Sequence, residues 1–184
     1  CWIRVNQPIA GLQWGGIALP RIGQEVIIEF EHGDPDRPVM TGRVYNAQNI
    51  PPYPLPDNKT RSALKSLSSP GGGGFHEMRL EDKKGSEQIF LRSEKDLDLR
   101  VTNDLKSQSD NDQHLMVGNQ LAEEIGKDLH STVGANQQDD VGQQLSISTG
   151  KDLQLKISGA HVVQSGNSIH IKAGSKAILQ GGMS

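Results

Sequence analysis

A β-branched residue followed by glycine returns every eighth position through the middle of the chain, at Val117-Gly118, Ile125-Gly126, Val133-Gly134 and Val141-Gly142. Glycine keeps that register at Gly150, Gly166, Gly174 and Gly182, interrupted within the series only by Ser158. Four residues beyond the branched positions stand Leu121, Leu129, Gln137, Leu145, Leu153, His161, Ile169 and Ala177. A third apolar series follows late in the chain, at Ile147, Leu155, Val163, Ile171 and Leu179, and the register without glycine reaches back through Leu105, Val101 and Leu97.

The segment is rich in Leu, Ala, Glu, Gln and Lys, all good helix formers, but the period rules a helix out. Eight residues at about 100° each end about 80° past two turns, so the apolar stripe would wander around the helix. A coiled coil needs a period near 3.5. Eight is even, and in a strand equal phases return to the same side of the alternating chain. Glycine then marks a corner where the strand bends without a Cβ in the way.

One octad per corner predicts a polygonal winding whose sides carry two or three inward side chains each. A single chain wound this way leaves every strand edge unpaired; three chains wound together satisfy them. The eleven octads from Leu97 to Ser184, at three octads per turn and roughly 14 Å per turn, predict a trimeric β-rod roughly 50 Å long.

Ahead of the repeat the pattern changes twice. Residues 1–48 have globular texture: Glu25-Val26-Ile27-Ile28-Glu29-Phe30-Glu31 reads as a strand, Val39 to Tyr45 as its partner, and His32 to Pro38 as the turn-rich loop between them. Together they predict part of a small antiparallel barrel. Residues 49–74 read as a linker, stiff at Asn49 to Pro56 and loose at Ser68 to Gly74. From residue 75 onward a turn at Glu81 to Ser86 separates Met78–Leu80 from Gln88–Leu91, and the octads follow to residue 184.

Composition sharpens this picture in one respect. Only 34% of the 184 residues are hydrophobic and 4% aromatic, with 21 glycines and a mean hydropathy of -0.53. So little apolar material under a strict repeat suits a chain that buries its apolar residues against copies of itself. The net charge of -3 supplies no general attraction to nucleic acid or to anionic membranes, and the one cysteine, Cys1, permits no internal disulfide. No apolar run is long enough for stable membrane insertion. The chain begins without Met in a stretch, Cys1 to Val5, that already reads as a strand, and is expected to be a piece of something longer.

Val-Gly spaced by eight behind a small barrel resembles the VgrG family, the valine–glycine repeat spike proteins of type VI secretion, and the related spikes of contractile phage tails. Three stretches of the first zone are similar to that family's OB-fold segment: Pro20 to Val26, Gly33-Asp34-Pro35-Asp36-Arg37-Pro38, and Thr41-Gly42-Arg43-Val44-Tyr45-Asn46. So is the junction, Gly71 to Phe75 followed by Glu81-Asp82-Lys83-Lys84-Gly85.

The resemblance implies an all-β chain, a partial OB-fold barrel followed by an intertwined triple-stranded β-helix that forms a homotrimeric needle. It implies a spike assembled in the bacterial cytoplasm and secreted to the extracellular space or a target cell. It also implies a PAAR-type tip protein and secreted effectors as partners, with the tail-tube protein joined through an N-terminal part missing here. A receptor-binding rod of a phage tail fibre is the alternative; the barrel and Gly-Asp-Pro loop ahead of the repeat are what it would not need.

Candidate chemistry is sparse. A calcium β-roll repeats every nine residues with fixed Asp, whereas Glu123, Glu124, Asp128, Asp139 and Asp140 share no common phase. His32, His76, His114, His130 and His170 read as surface or loop residues without metal-ligand spacing. His161 alone shares the phase of Leu153 and Ile169, so three copies would converge on a rod axis and are the one candidate metal position; water or neighbours satisfying an inward polar residue is the plainer expectation. Glu77, Glu81 and Asp82 are expected to be solvated around a turn, no catalytic triad is legible, and no cofactor is implied. Trp2, Trp14 and Tyr45 lie among balanced charges, which favours packing over base stacking. Function is expected to rest on the repeat, with Val117, Ile125, Val133 and Val141 as inward packing and their glycines as strained corners.

Overall fold

A computed structural model describes residues 2–182; Cys1 and the last residue of the expected rod, Ser184, lie outside the described residues. The chain divides into two units, 1–112 and 113–184.

In the first unit, β1 (Arg4–Val5), β2 (Glu25–Phe30) and β3 (Pro38–Val44) form a sheet in the order β1-β3-β2. The two longer strands pair antiparallel, as the β-branched run and its partner predict, with the register shifting between Ile27 and Ile28. β1 joins β3 in parallel, so this part of the sheet is mixed rather than purely antiparallel. The connecting loop is closed by Glu31, whose amide donates to Arg37 O at 3.0 Å. The Glu31 carboxylate also receives Arg4 at 2.6 Å and Arg37 at 2.9 Å, tying β1 to the loop.

A second sheet follows as an antiparallel meander: β4 (Arg61–Lys65), β5 (Glu77–Glu81) and β6 (Gln88–Arg92). The β5–β6 turn passes through Gly85 at φ +82, a backbone state that side chains disfavour. β4 lies inside the stretch read as a linker and pairs along its whole length with β5, from Arg61↔Glu81 to Lys65↔Glu77. The linker expectation for residues 49–74 is corrected accordingly. Proline and glycine at its two ends mark loops, while Arg61-Ser62-Ala63-Leu64-Lys65 between them is too mixed in composition to read as a strand without its partner.

From residue 93 onward the described chain is extended, with a bend at every eighth residue. The bends fall at residue pairs 94/95, 102/103, 110/111 and 118/119, and continue in the same step to 174/175. The period therefore begins one octad earlier than Val101 indicates, in the octad that holds Leu97. Among the described residues this stretch makes no backbone–backbone hydrogen bond of its own, and every described residue of the second unit is exposed.

The only buried hydrophobic residue among those described is Met40, on β3. The chain exposes 18902 Å², whereas a compact monomer of 20.0 kDa exposes about 8,700 Å². More than half of the exposed surface is therefore in excess of what one folded chain needs to show.

Candidate functional site

The meander presents two faces of opposite character, each set by strand alternation. Arg61, Glu77, Arg79, Glu81, Phe90 and Arg92 share one face by register. This polar face is the covered one. Tyr53 lies across it, with the Arg61 guanidinium 4.5 Å from the ring centre and Arg79 5.7 Å away. Arg79 also stacks on Phe90 at 4.5 Å, and Phe75 lies between Lys65 at 4.0 Å and Arg92 at 3.8 Å. Cations over aromatic faces stabilise such an assembly more when partly desolvated.

The carboxylates on this face are specifically held. Tyr53 donates its hydroxyl to Glu77, whose residue surface is only 4% exposed, and Arg79 lies 3.4 Å from the same Glu77 oxygen. The hydrogen bond with Tyr53 is the largest of the effects that raise the Arg79 guanidinium above its already high value. Glu81 accepts from Thr60 Oγ1 at 2.6 Å, from the Lys83 amide at 3.1 Å and from Arg61 Nε at 3.0 Å. These donors, Thr60 foremost, hold its carboxyl below the ordinary value. The expectation of solvated carboxylates around a turn is corrected for Glu77 and Glu81: both lie on β5, and strand alternation carries them under the Tyr53 segment. No sequence motif marks this, because the covering segment is 24 residues from Glu77.

The opposite face carries Leu64, Met78, Leu80, Ile89 and Leu91, all exposed in the single chain. A sheet that covers its charges and bares its leucines has its apolar face available for another surface.

The repeat forms the second element of the site. Bends fall at Gly118, Gly126, Gly134, Gly142, Gly150, Gly166 and Gly174, each with the residue after it. The same bends occur where Thr102, Asp110 and Ser158 replace glycine. None of the corner glycines has φ in the left-handed region, and a Cβ built on any of them meets nothing within 4 Å in the single chain. The expected backbone strain is therefore absent, since residues with side chains already make the corner. Val117, Ile125, Val133 and Val141, each just before a corner, are exposed to nearly the same degree, 42–49%. Three serines at that phase, Ser93, Ser109 and Ser165, donate across the corner to the carbonyl three residues on, at 2.5–2.8 Å.

His161 is exposed on the single chain, and convergence of its copies is a relation between chains. Among the described residues no group of three or more His, Cys, Asp or Glu side chains is placed to hold a metal ion. Trp2, Trp14 and Tyr45 are exposed, so none belongs to a core within the chain.

A small β-sheet domain thus leads into octads that have no backbone pairing within the chain among the described residues. A family model described as the bacteriophage T4 gp5 C-terminal trimerisation domain matches residues 62–172. Another, described as the type VI secretion system/phage-baseplate injector OB domain, matches residues 1–45. The chain belongs to the gp5 C-terminal trimerisation family, and the resemblance to VgrG spike proteins stands.

It is 58% identical over 106 residues to the type VI secretion system spike protein VgrG1b of Pseudomonas aeruginosa, covering 56% of this chain and 14% of that protein. To VgrG5 of the same organism it is 51% identical over 106 residues, 58% of this chain and 13% of the relative. To a Vibrio cholerae protein named actin cross-linking toxin VgrG1 it is 52% identical over 108 residues, 59% of this chain and 10% of the relative. The matched region thus spans 10 to 14% of these relatives' own length.

Proposed function

We propose that the chain is the barrel-to-needle segment of a puncturing spike of type VI secretion, working as a homotrimer. Three copies wind their octads into one closed β-rod, with Val117, Ile125, Val133 and Val141 turned inward and the glycine positions as corners. The observation that carries this reading is the octad stretch itself: extended, bent every eighth residue, and without a backbone hydrogen bond of its own. A chain whose N–H and C=O groups have no internal partners gains most from neighbours that supply them, because unpaired backbone groups are costly to bury.

Stiffness is the mechanism. Backbone pairing around a closed rod leaves no free edge and tolerates a polar exterior. The apolar face of β4–β6 packs against its own copies in the same assembly. We take the spike to be assembled in the cytoplasm and expelled, carrying a PAAR-type tip protein or effectors and joined to the tail tube by its N-terminal part. The chain's own residues serve assembly rather than catalysis.

Light scattering coupled to size exclusion tests the core of this reading. A mass near three times 20.0 kDa is expected, and a monomer would overturn it.

A further inference from the structure

Charge is not spread evenly along the octads. Between residues 113 and 140 the acids Glu123, Glu124, Asp128, Asp139 and Asp140 face a single cation, Lys127, for a net charge of -4. Between residues 141 and 182 the balance reverses. Lys151, Lys156, Lys172 and Lys176 face Asp152 alone, for a net charge of +3. The sign changes at the Val141-Gly142 corner, and all four lysines are exposed.

Strand parity places these charges. Lys156, Lys172 and Lys176 alternate with the Leu153–Ile169 and Leu155–Ile171 phases, so winding that turns the leucines inward turns the lysines out. Lys151, just after the Gly150 corner, shares the inward parity of Leu153, and Asp152 shares the outward one. Two apolar residues share the outward parity, Val162 and Ile178, at 79% and 62% exposed.

We propose that residues 141–182 form a cationic surface that adsorbs to anionic lipid bilayers. The proposal rests on the three-copy winding above, which triples the outward +2 of Lys156, Lys172 and Lys176 against Asp152 and sets the copies close enough for their fields to add within a Debye length. The side-chain chemistry selects the partner. From residue 113 to 182 there is no arginine and no aromatic residue, so neither bidentate phosphate recognition nor base stacking is available for nucleic acid. Lysine is depleted in protein–protein interface cores. Hydrated lysine heads with isolated apolar side chains between them suit diffuse attraction to a charged headgroup layer, where each lysine adds separately. No helix among the described residues is long and apolar enough to cross a membrane, and the contact is with the surface.

The test is co-sedimentation of the full chain with vesicles of phosphatidylglycerol or of phosphatidylcholine at about 0.01 M salt, where the Debye length is about 30 Å. Binding to the anionic vesicles alone is expected. It should fall ~100-fold in a K156Q/K172Q/K176Q variant and persist in Lys127→Gln. Light scattering on the same samples reads assembly separately: a variant that stays trimeric yet leaves the vesicles supports the proposal. A trimeric wild type that ignores phosphatidylglycerol overturns it without touching the spike reading. Equal binding to phosphatidylcholine, equal loss in Lys127→Gln, or displacement by equimolar single-stranded DNA would overturn the lipid assignment as well.

Discussion

Tyr53 donates its hydroxyl to Glu77, a carboxylate on β5 that is almost wholly withdrawn from solvent. One residue of a Pro-rich loop thereby closes the polar face of the meander. Removing only that hydroxyl leaves Glu77 with Arg79 at 3.4 Å as its remaining cationic partner. Tyr53→Phe is expected to destabilise the meander by about 1–3 kcal/mol, the cost of an under-satisfied buried acceptor. Hydrogen exchange at the β5 amides would measure it. Unchanged protection would mean that ring packing, not the hydroxyl, holds the loop.

Glu81 sets an acid limit on the same sheet. Its carboxyl is held below its ordinary value of 4.5, chiefly by the Thr60 hydroxyl. A depressed folded-state pKa adds stability that is fully present above the unfolded value and is lost as pH falls through the folded one. Stability of the β4–β6 sheet is therefore expected to decline below about pH 4.5, and the decline should be shallower in Thr60→Val. Parallel acid titrations by circular dichroism for both proteins would decide this.

Corner glycines should be replaceable by small polar residues. Ser158 already occupies the phase of Gly150 and Gly166 with the same bend. Gly134→Ser is expected to leave the trimer intact and its stability within about 0.5 kcal/mol. A fall to monomer on light scattering would show that the corners need glycine for inter-chain packing, since backbone conformation does not require it.

Leu91 stands on the bare face of the meander, paired with Met78 across the ladder. Leu91→Asp would place a charge in any surface packed there. It is expected to lower the mass from near three times 20.0 kDa toward the monomer while the β5 hydrogen exchange stays protected. A trimer that survives the change would remove this face from the assembly.

The repeat was legible in the sequence because its rules are local. Parity and an eight-residue step distinguish strand from helix, and the bends fall every eighth residue from 94/95 to 174/175. Where a serine replaces the branched residue before a corner, as at Ser165, the side chain closes the turn with its own hydrogen bond. Apolar periodicity is blind to that signal, which is why the first corner at Glu94 escaped it.

The long strands β2 and β3, like the Gln88–Arg92 hairpin partner of β5, were also legible from β-branched runs bounded by turn residues. By itself the sequence thus determined the strands β2 and β3 and the spacing of the corners. Each follows from backbone geometry acting over a few residues. Tertiary structure alone decided that Arg61–Lys65 is a strand, that β1 runs parallel to β3, and that Glu77 rather than Leu91 is covered. Those outcomes depend on partners outside the local stretch, from Glu77 opposite Lys65 to Val39 opposite Arg4, and no local pattern records which of two alternating faces a distant loop will cover.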